Sequence, residues 1–168
     1  MDQSTNKEFV LKQKLTSFIK ENKFKFITIL LLIITSIVIL LILQERKETE
    51  NISLSEKYIK ANLFLSNNQD LEAKNKYTEI ILSKNKFYSL LALNTILEKN
   101  LVKEKEKILE YFSILEKMNY SKELYNLILF KKSLYLLKEQ DYDTGKEILN
   151  NLIKEDSNLK SIAQQLIK

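Results

Sequence analysis

LFKKSLYLLKEQDYDTGKEILNNL, residues 129–152, reads as two helices folded back on one another. The first half belongs to a helix expected over about Ser121 to Glu139. Asp141 stands where it can cap a second helix that turns Tyr142, Ile148, Leu149 and Leu152 inward. Ser133 and Gly145 lie twelve residues apart across the turn. Small side chains at facing positions let the two backbones of a hairpin approach, so the spacing has a packing reason.

The pattern extends outward from there. Ser53-Leu54-Ser55-Glu56 has the form of a capping box and predicts a helix start. That helix carries Tyr58, Ile59, Ala61, Phe64 and Leu65 and stops at Ser66-Asn67-Asn68-Gln69. Asp70 is expected to cap the next, with Ala73, Tyr77, Ile80 and Ile81 in one stripe. Further helices are expected from about Phe87 to Glu98 and from about Leu101 to Lys117. A last one, capped by Ser157, holds Leu159, Ile162, Ala163 and Leu166. Ala61 and Ala73 repeat the spacing of twelve, whereas setting Ala92 at the first small position of the middle hairpin puts Glu104 at the second. No segment alternates with period two between turns, so the class is all-α. Short connections make consecutive helices antiparallel: three hairpins and a closing helix, a solenoid repeat.

Ahead of the hairpins lies FITILLLIITSIVILLIL, Phe26 to Leu43, in which only Thr28, Thr35 and Ser36 are polar. Eighteen helical residues span about 27 Å, close to the roughly 30 Å hydrocarbon thickness. Fifteen of them are Leu, Ile, Val or Phe, worth roughly 5 to 9 kcal/mol on insertion. The three hydroxyls can bond back to helix carbonyls. The long leader and the exit into Gln44-Glu45-Arg46-Lys47, without small residues at a cut, point to an uncleaved signal anchor. Lys7, Lys12, Lys14, Lys20, Lys23 and Lys25 precede the run, while Gln44 to Glu56 holds Arg46 and Lys47 among four glutamates. The leader is therefore expected in the cytoplasm and the remainder across the membrane, in the periplasm of a bacterium. The expected organisation is a leader at 1–25, the anchor at 26–43, a polar stalk at 44–52 and the helical domain at 53–168. In the leader, Leu11, Leu15, Phe18 and Ile19 have helical spacing, which fits an amphipathic helix on the inner leaflet, a partner-docking element, or a basic tail that serves topology alone.

Composition restricts the chemistry. The chain has no His, Cys, Trp or Pro, and one Gly. Thiolate or imidazole metal sites, Cys/His and Ser/His/Asp catalysis and glycine-rich phosphate loops have no residues to build them. Carboxylate pairs and a Ser/Lys dyad remain conceivable, but most acids fall on polar helical faces, as Glu104, Glu106 and Glu110 do, so no catalytic site, metal or cofactor is expected. Of the net charge of +5, the leader contributes three. Twenty-six lysines stand against one arginine, and no basic stripe interleaved with aromatics appears. Nucleic acid is not an expected partner, nor is a small-molecule substrate.

Leu129 to Leu152, with Ser133, Asp141-Tyr142, Gly145, Leu149 and Leu152, resembles a whole tetratricopeptide repeat, and Ala61, Phe64, Ala73, Tyr77 and Ile80 match one more loosely. The consensus tryptophan and closing proline are missing. A basic leader, one anchor, a polar stalk and three degenerate hairpins resemble the bacterial inner-membrane family that includes the ancillary subunit of the Sec translocon. That resemblance implies a non-catalytic periplasmic scaffold for protein–protein interaction, with the translocon, periplasmic chaperones or translocating chains as partners. It further implies a concave binding surface on the first helix of each hairpin, here Tyr58, Leu65, Leu93, Ile96, Phe130, Leu134 and Leu137. The helix from Tyr120 to Leu137 has eleven apolar residues in eighteen, which fits either a packed central helix or a groove flanked by Lys131, Lys132 and Lys138. The alternative function is a bitopic structural or assembly factor acting through its transmembrane helix, with the helical domain as spacer.

Overall fold

The structure, a computed structural model, describes residues 12–14 and 16–167. Seven helices follow the leader: α1 (Lys23–Ser66), α2 (Asp70–Leu82), α3 (Lys86–Lys99), α4 (Lys105–Glu116), α5 (Lys122–Lys138), α6 (Tyr142–Lys154) and α7 (Lys160–Ile167). No strand occurs among the described residues. Two compact units divide at Glu50 and Asn51, inside α1.

In the first unit, α1 carries a stretch long and apolar enough to cross a membrane, none of it buried by protein. Its hydroxyls behave as expected: Thr28, Thr35 and Ser36 donate to the carbonyls of Phe24, Leu31 and Leu32 at 2.9, 2.7 and 2.8 Å. Bonded back in this way, they leave no free polar group on an apolar cylinder.

α1 continues through the polar stalk, as a stretch without proline or glycine allows, but no new helix begins after it. It is helical without interruption to Ser66, so Ser53 lies inside the helix and starts nothing. A capping box works only where the backbone leaves an amide unpaired, and no glycine, proline or polar turn interrupts Gln44 to Ile52 to free one.

The second unit is an array of hairpins with connections of three to five residues. α2 packs closely on α3, α5 on α6, and α6 on α7, whereas α3 and α4 approach each other over a much shorter length. Tyrosine tips join successive layers. Tyr77 donates to Asn62 Oδ1 at 2.7 Å, Tyr58 Oη lies 2.9 Å from Thr95 Oγ1, and Tyr111 Oη lies 2.8 Å from Thr78 Oγ1. The core runs through Ala61, Ala73, Tyr77, Ile80, Ile81, Leu93, Ile96, Ile108, Phe112, Leu115 and Ile128 and continues to Leu149, Leu152 and Ala163. Burial, then the neighbouring Tyr58, pushes the Tyr77 phenol up to about 12.

Helix ends account for most departures from expectation. Among the described residues, five non-glycine residues have positive φ: Asn68, Lys84, Asn100, Gln140 and Asp156, each just past a helix. Beyond four of these the next amide reaches back five residues: Gln69 to Phe64 O, Leu101 to Ile96 O, Asp141 to Leu136 O and Ser157 to Leu152 O. α3 therefore ends at Asn100, and Leu101 to Glu104 is a connection, so α4 begins at Lys105 and not at Leu101. Asp70 is the first residue of α2, with Gln69 before it as a cap that makes no side-chain bond. Asp141 occupies the N-cap of α6, but its carboxylate meets Lys105 Nζ at 2.8 Å instead of an α6 amide. Ser121 caps α5 through Leu124 N. Asn85, absent from the sequence expectations, caps α3 through Phe87 N and Tyr88 N. Ser157 accepts from Leu159 N in the turn before α7 and does not cap that helix directly.

Candidate functional site

The positive-φ residue fixes the register of each hairpin. Seven residues before Asn68, Asn100 and Gln140 stand Ala61, Leu93 and Ser133, all with at most 1% exposure. Three residues into the second helix of each hairpin stand Ala73, Ile108 and Gly145. The third hairpin thus crosses at small residues, Ser133 with Gly145, and the first has the fully buried Ala61 and Ala73 at the equivalent positions. A Cβ at Gly145 would lie 3.0 Å from Leu137 Cγ and 3.2 Å from Ser133 O. The middle hairpin puts Leu93 and Ile108 at these places, which holds α3 and α4 apart. Ala92 is buried one residue off the crossing position, and Glu104 is an exposed N-cap outside the hairpin contact.

The corrected register moves the groove. Positions three before and one and four after the crossing residue are Leu90, Asn94 and Leu97 on α3, and all three line hollows on the α3 side facing α5. A hollow of about 510 Å³ at the N-terminal ends is formed chiefly by Phe87, Leu90, Leu91, Asn94, Tyr120 and Leu124. A second, of about 230 Å³, is formed at the C-terminal ends by Ile96, Leu97, Val102, Leu134 and Tyr135, with Lys131 and Lys138 beside it. The backbones of α3 and α5 stay apart along nearly all their length, and the two hollows, which share no lining residue, lie one after the other along the channel between the helices. Tyr120 closes its N-terminal end by donating to Lys86 O at 3.0 Å. Burial raises the Tyr120 phenol to about 12 and also pushes the Tyr135 phenol up. Asn94 Oδ1 is buried without a protein partner.

The seven residues expected to form the concave surface separate into distinct places. Leu93 and Ile96 are 1% and 0% exposed and belong to the core, although Ile96 also forms the floor of the smaller hollow. Tyr58 is half-buried, edge-on to Tyr77 and bonded to Thr95, so it joins layers. Leu65 lines a separate hollow of about 450 Å³ with Asn62, Asp70, Lys99 and Leu101. Leu134, 38% exposed, faces the channel. Phe130 is half-buried on α5, and Leu137 packs over Gly145 inside the third hairpin.

α5 itself combines both expected arrangements. Ile128, Ser133 and Leu136 are buried, and the helix packs closely on α6 and less extensively on α4, while Leu134, Tyr135 and Lys131 border the open channel. Lys132, expected as a groove lysine, instead bonds Glu116 Oε1 of α4 at 2.7 Å, with both side chains 21% exposed. Among the described residues, no group of three or more acidic side chains is placed to hold a metal ion. Apolar walls, with Lys131 and Lys138 both on the α5 side of the smaller hollow, have the chemistry of a surface for apolar groups.

Comparison with protein-family models, with curated proteins and with solved structures finds no match to this chain.

Proposed function

We propose that this protein is a non-catalytic, membrane-anchored interaction scaffold that holds a polypeptide-binding channel beside the membrane at the site of protein export. The observation that carries this reading is the apolar channel between α3 and α5, bordered by Lys131 and Lys138. By the lysine asymmetry, the leader is cytoplasmic and the helical unit periplasmic, in a bacterial inner membrane. The partners are the Sec translocon, periplasmic chaperones or the translocating chains themselves. Such chains present apolar segments before they fold, and an apolar channel with lysines alongside suits them. Tethering in the membrane raises local concentration, so a shallow channel is sufficient.

Photo-crosslinkers at Leu97 and Leu134 test this directly, with Leu93 as a buried control. Capture of a stalled exported chain or a periplasmic chaperone at the first two positions and not at Leu93 is the expected result. Equal silence at all three would sink the reading. Exchanging residues 26–43 for an unrelated transmembrane helix should spare capture, and loss of function on exchange would favour a bitopic assembly factor instead.

A further inference from the structure

We infer that residues 12–25 dock on an anionic lipid surface, the leaflet at which α1 enters the membrane. Residues 12–14 and 16–21 are helical, and Asn22 interrupts the run before α1 begins at Lys23. The i−4 pattern nevertheless carries across it: Asn22 N donates to Phe18 O and Phe26 N to Asn22 O, each at 3.1 Å, with Asn22 Nδ2 also donating to Phe18 O at 3.0 Å.

At about 100° per residue, Leu11, Leu15, Phe18, Ile19 and Asn22 fall within one arc of roughly 100°. Leu11 and Leu15 lie outside the described residues and enter by spacing alone. Lys12 and Lys23 border one edge of the arc and Lys14 and Lys25 the other, with Lys20 farther onto the polar side. All five lysines are exposed. Phe18 and Ile19, both on this arc, are 56% and 49% exposed, a heavy cost in water for a face that can reach lipid. The Phe18 ring meets Phe26, first residue of the apolar run, edge-on at 6.1 Å, so the apolar side of the leader continues into that of the span.

An apolar arc bordered by lysines and joined to a membrane span matches an anionic interface, with rings at the acyl boundary and ammonium groups among phosphates. Basic residues serving topology alone would need no such arc.

This inference rests on α1 crossing the bilayer, and the test separates the two. The chain has no tryptophan, so Phe18→Trp and Ile34→Trp each give a single reporter. Full-length protein is placed in nanodiscs of phosphatidylcholine alone or with phosphatidylglycerol, with lipids brominated near the headgroup or at the bilayer centre. Ile34→Trp, midway along the run from Phe26 to Leu43, should be quenched from the centre in both lipids, and failure there overturns spanning and docking together. Phe18→Trp should be blue-shifted and quenched from the headgroup end only when phosphatidylglycerol is present, and released by high salt. Adding Lys12, Lys14 and Lys20→Gln should lower the docked-to-free ratio about a hundredfold, at about fivefold per charge. Water-like emission at position 18 in both lipids, or equal quenching in both, overturns the inference while leaving the span intact.

Discussion

Replacing Gly145 by valine should force the third hairpin open. A Cβ at this position lies 3.0 Å from Cγ and Cδ2 of Leu137 and 3.2 Å from Ser133 O. The leucine can rotate, but the carbonyl is fixed in the α5 backbone. Alanine gains about 1 kcal/mol in helix propensity and loses about 1–3 kcal/mol to overpacking, so Gly145→Ala should end about 1 kcal/mol less stable. Valine drives two more methyl groups into the same gap with a smaller propensity gain, for a net loss of about 3 kcal/mol. At about 4 °C per kcal/mol for a domain of this size, the melting temperature should fall by roughly 12 °C. All eight tyrosines lie between Tyr58 and Tyr142, so near-ultraviolet circular dichroism of the full-length protein in detergent follows the helical unit alone. If crowding against Leu137 is the cause, adding Leu137→Ala, itself costing about 2 kcal/mol, should fall short of additivity by at least about 1 kcal/mol. A Gly145→Val protein melting within about 2 °C of wild type, or a strictly additive double variant, would refute the close-crossing argument.

Gln140, at φ 62°, should be better served by glycine: Gln140→Gly is expected to raise stability by about 1 kcal/mol, read as a higher urea midpoint at unchanged slope. The Lys105 hydrogen bond, with help from Thr144, holds the Asp141 carboxyl below the usual carboxylate range. Stability from this pair is present above the unfolded carboxyl value and lost as pH falls through the depressed one, so the difference between wild type and Lys105→Gln should vanish in acid. A difference that persists there would show that the ion pair was not its source. Tyr77 and Tyr120 hold their protons to about 12, against an ordinary value near 10. The folded state therefore binds more protons than the unfolded over that interval, and stability should decline from pH 10 to 12, with late tyrosinate absorbance at 295 nm. Leu97→Glu should abolish chain capture at Leu134 with less than about 1 kcal/mol change in stability, whereas Leu93→Ala should cost about 2–5 kcal/mol.

Features governed by one residue type in one environment were legible in the sequence. An uncharged apolar run specifies its own helix, and its three hydroxyls bond the carbonyls that a water-free setting requires. The spacing of twelve located the crossing at Ser133/Gly145 and picked out Ala61 and Ala73, both fully buried. Conditional signals were not legible. Ser53-Leu54-Ser55-Glu56 caps only where a helix breaks, and Asp141 caps only if no lysine draws its carboxylate away, as Lys105 does. The uninterrupted sequence before Ser53 decides the first case, and a pairing across 36 residues accompanies the second, which a four-residue motif does not carry.

The channel was misplaced on α3 by one residue, equivalent to about 100° of helix rotation, enough to exchange Leu90, Asn94 and Leu97 for buried Leu93 and Ile96. The error came from seeking a small residue where this hairpin has none. Asn100, matching Asn68 at the end of the preceding hairpin's first helix, was the better marker, because asparagine tolerates positive φ. The departure from the repeat also accounts for much of the channel. Leu93 and Ile108 keep α3 and α4 apart, and the longer connection after Asn100 sets Val102 into the space, 4% exposed. Ile96, Leu97 and Val102 then line the end of α3 opposite Leu134 and Tyr135 of α5. A small pair in the middle hairpin would close α3 onto α4 and remove that wall, so the bulky pair Leu93 and Ile108 is what leaves the hollow open.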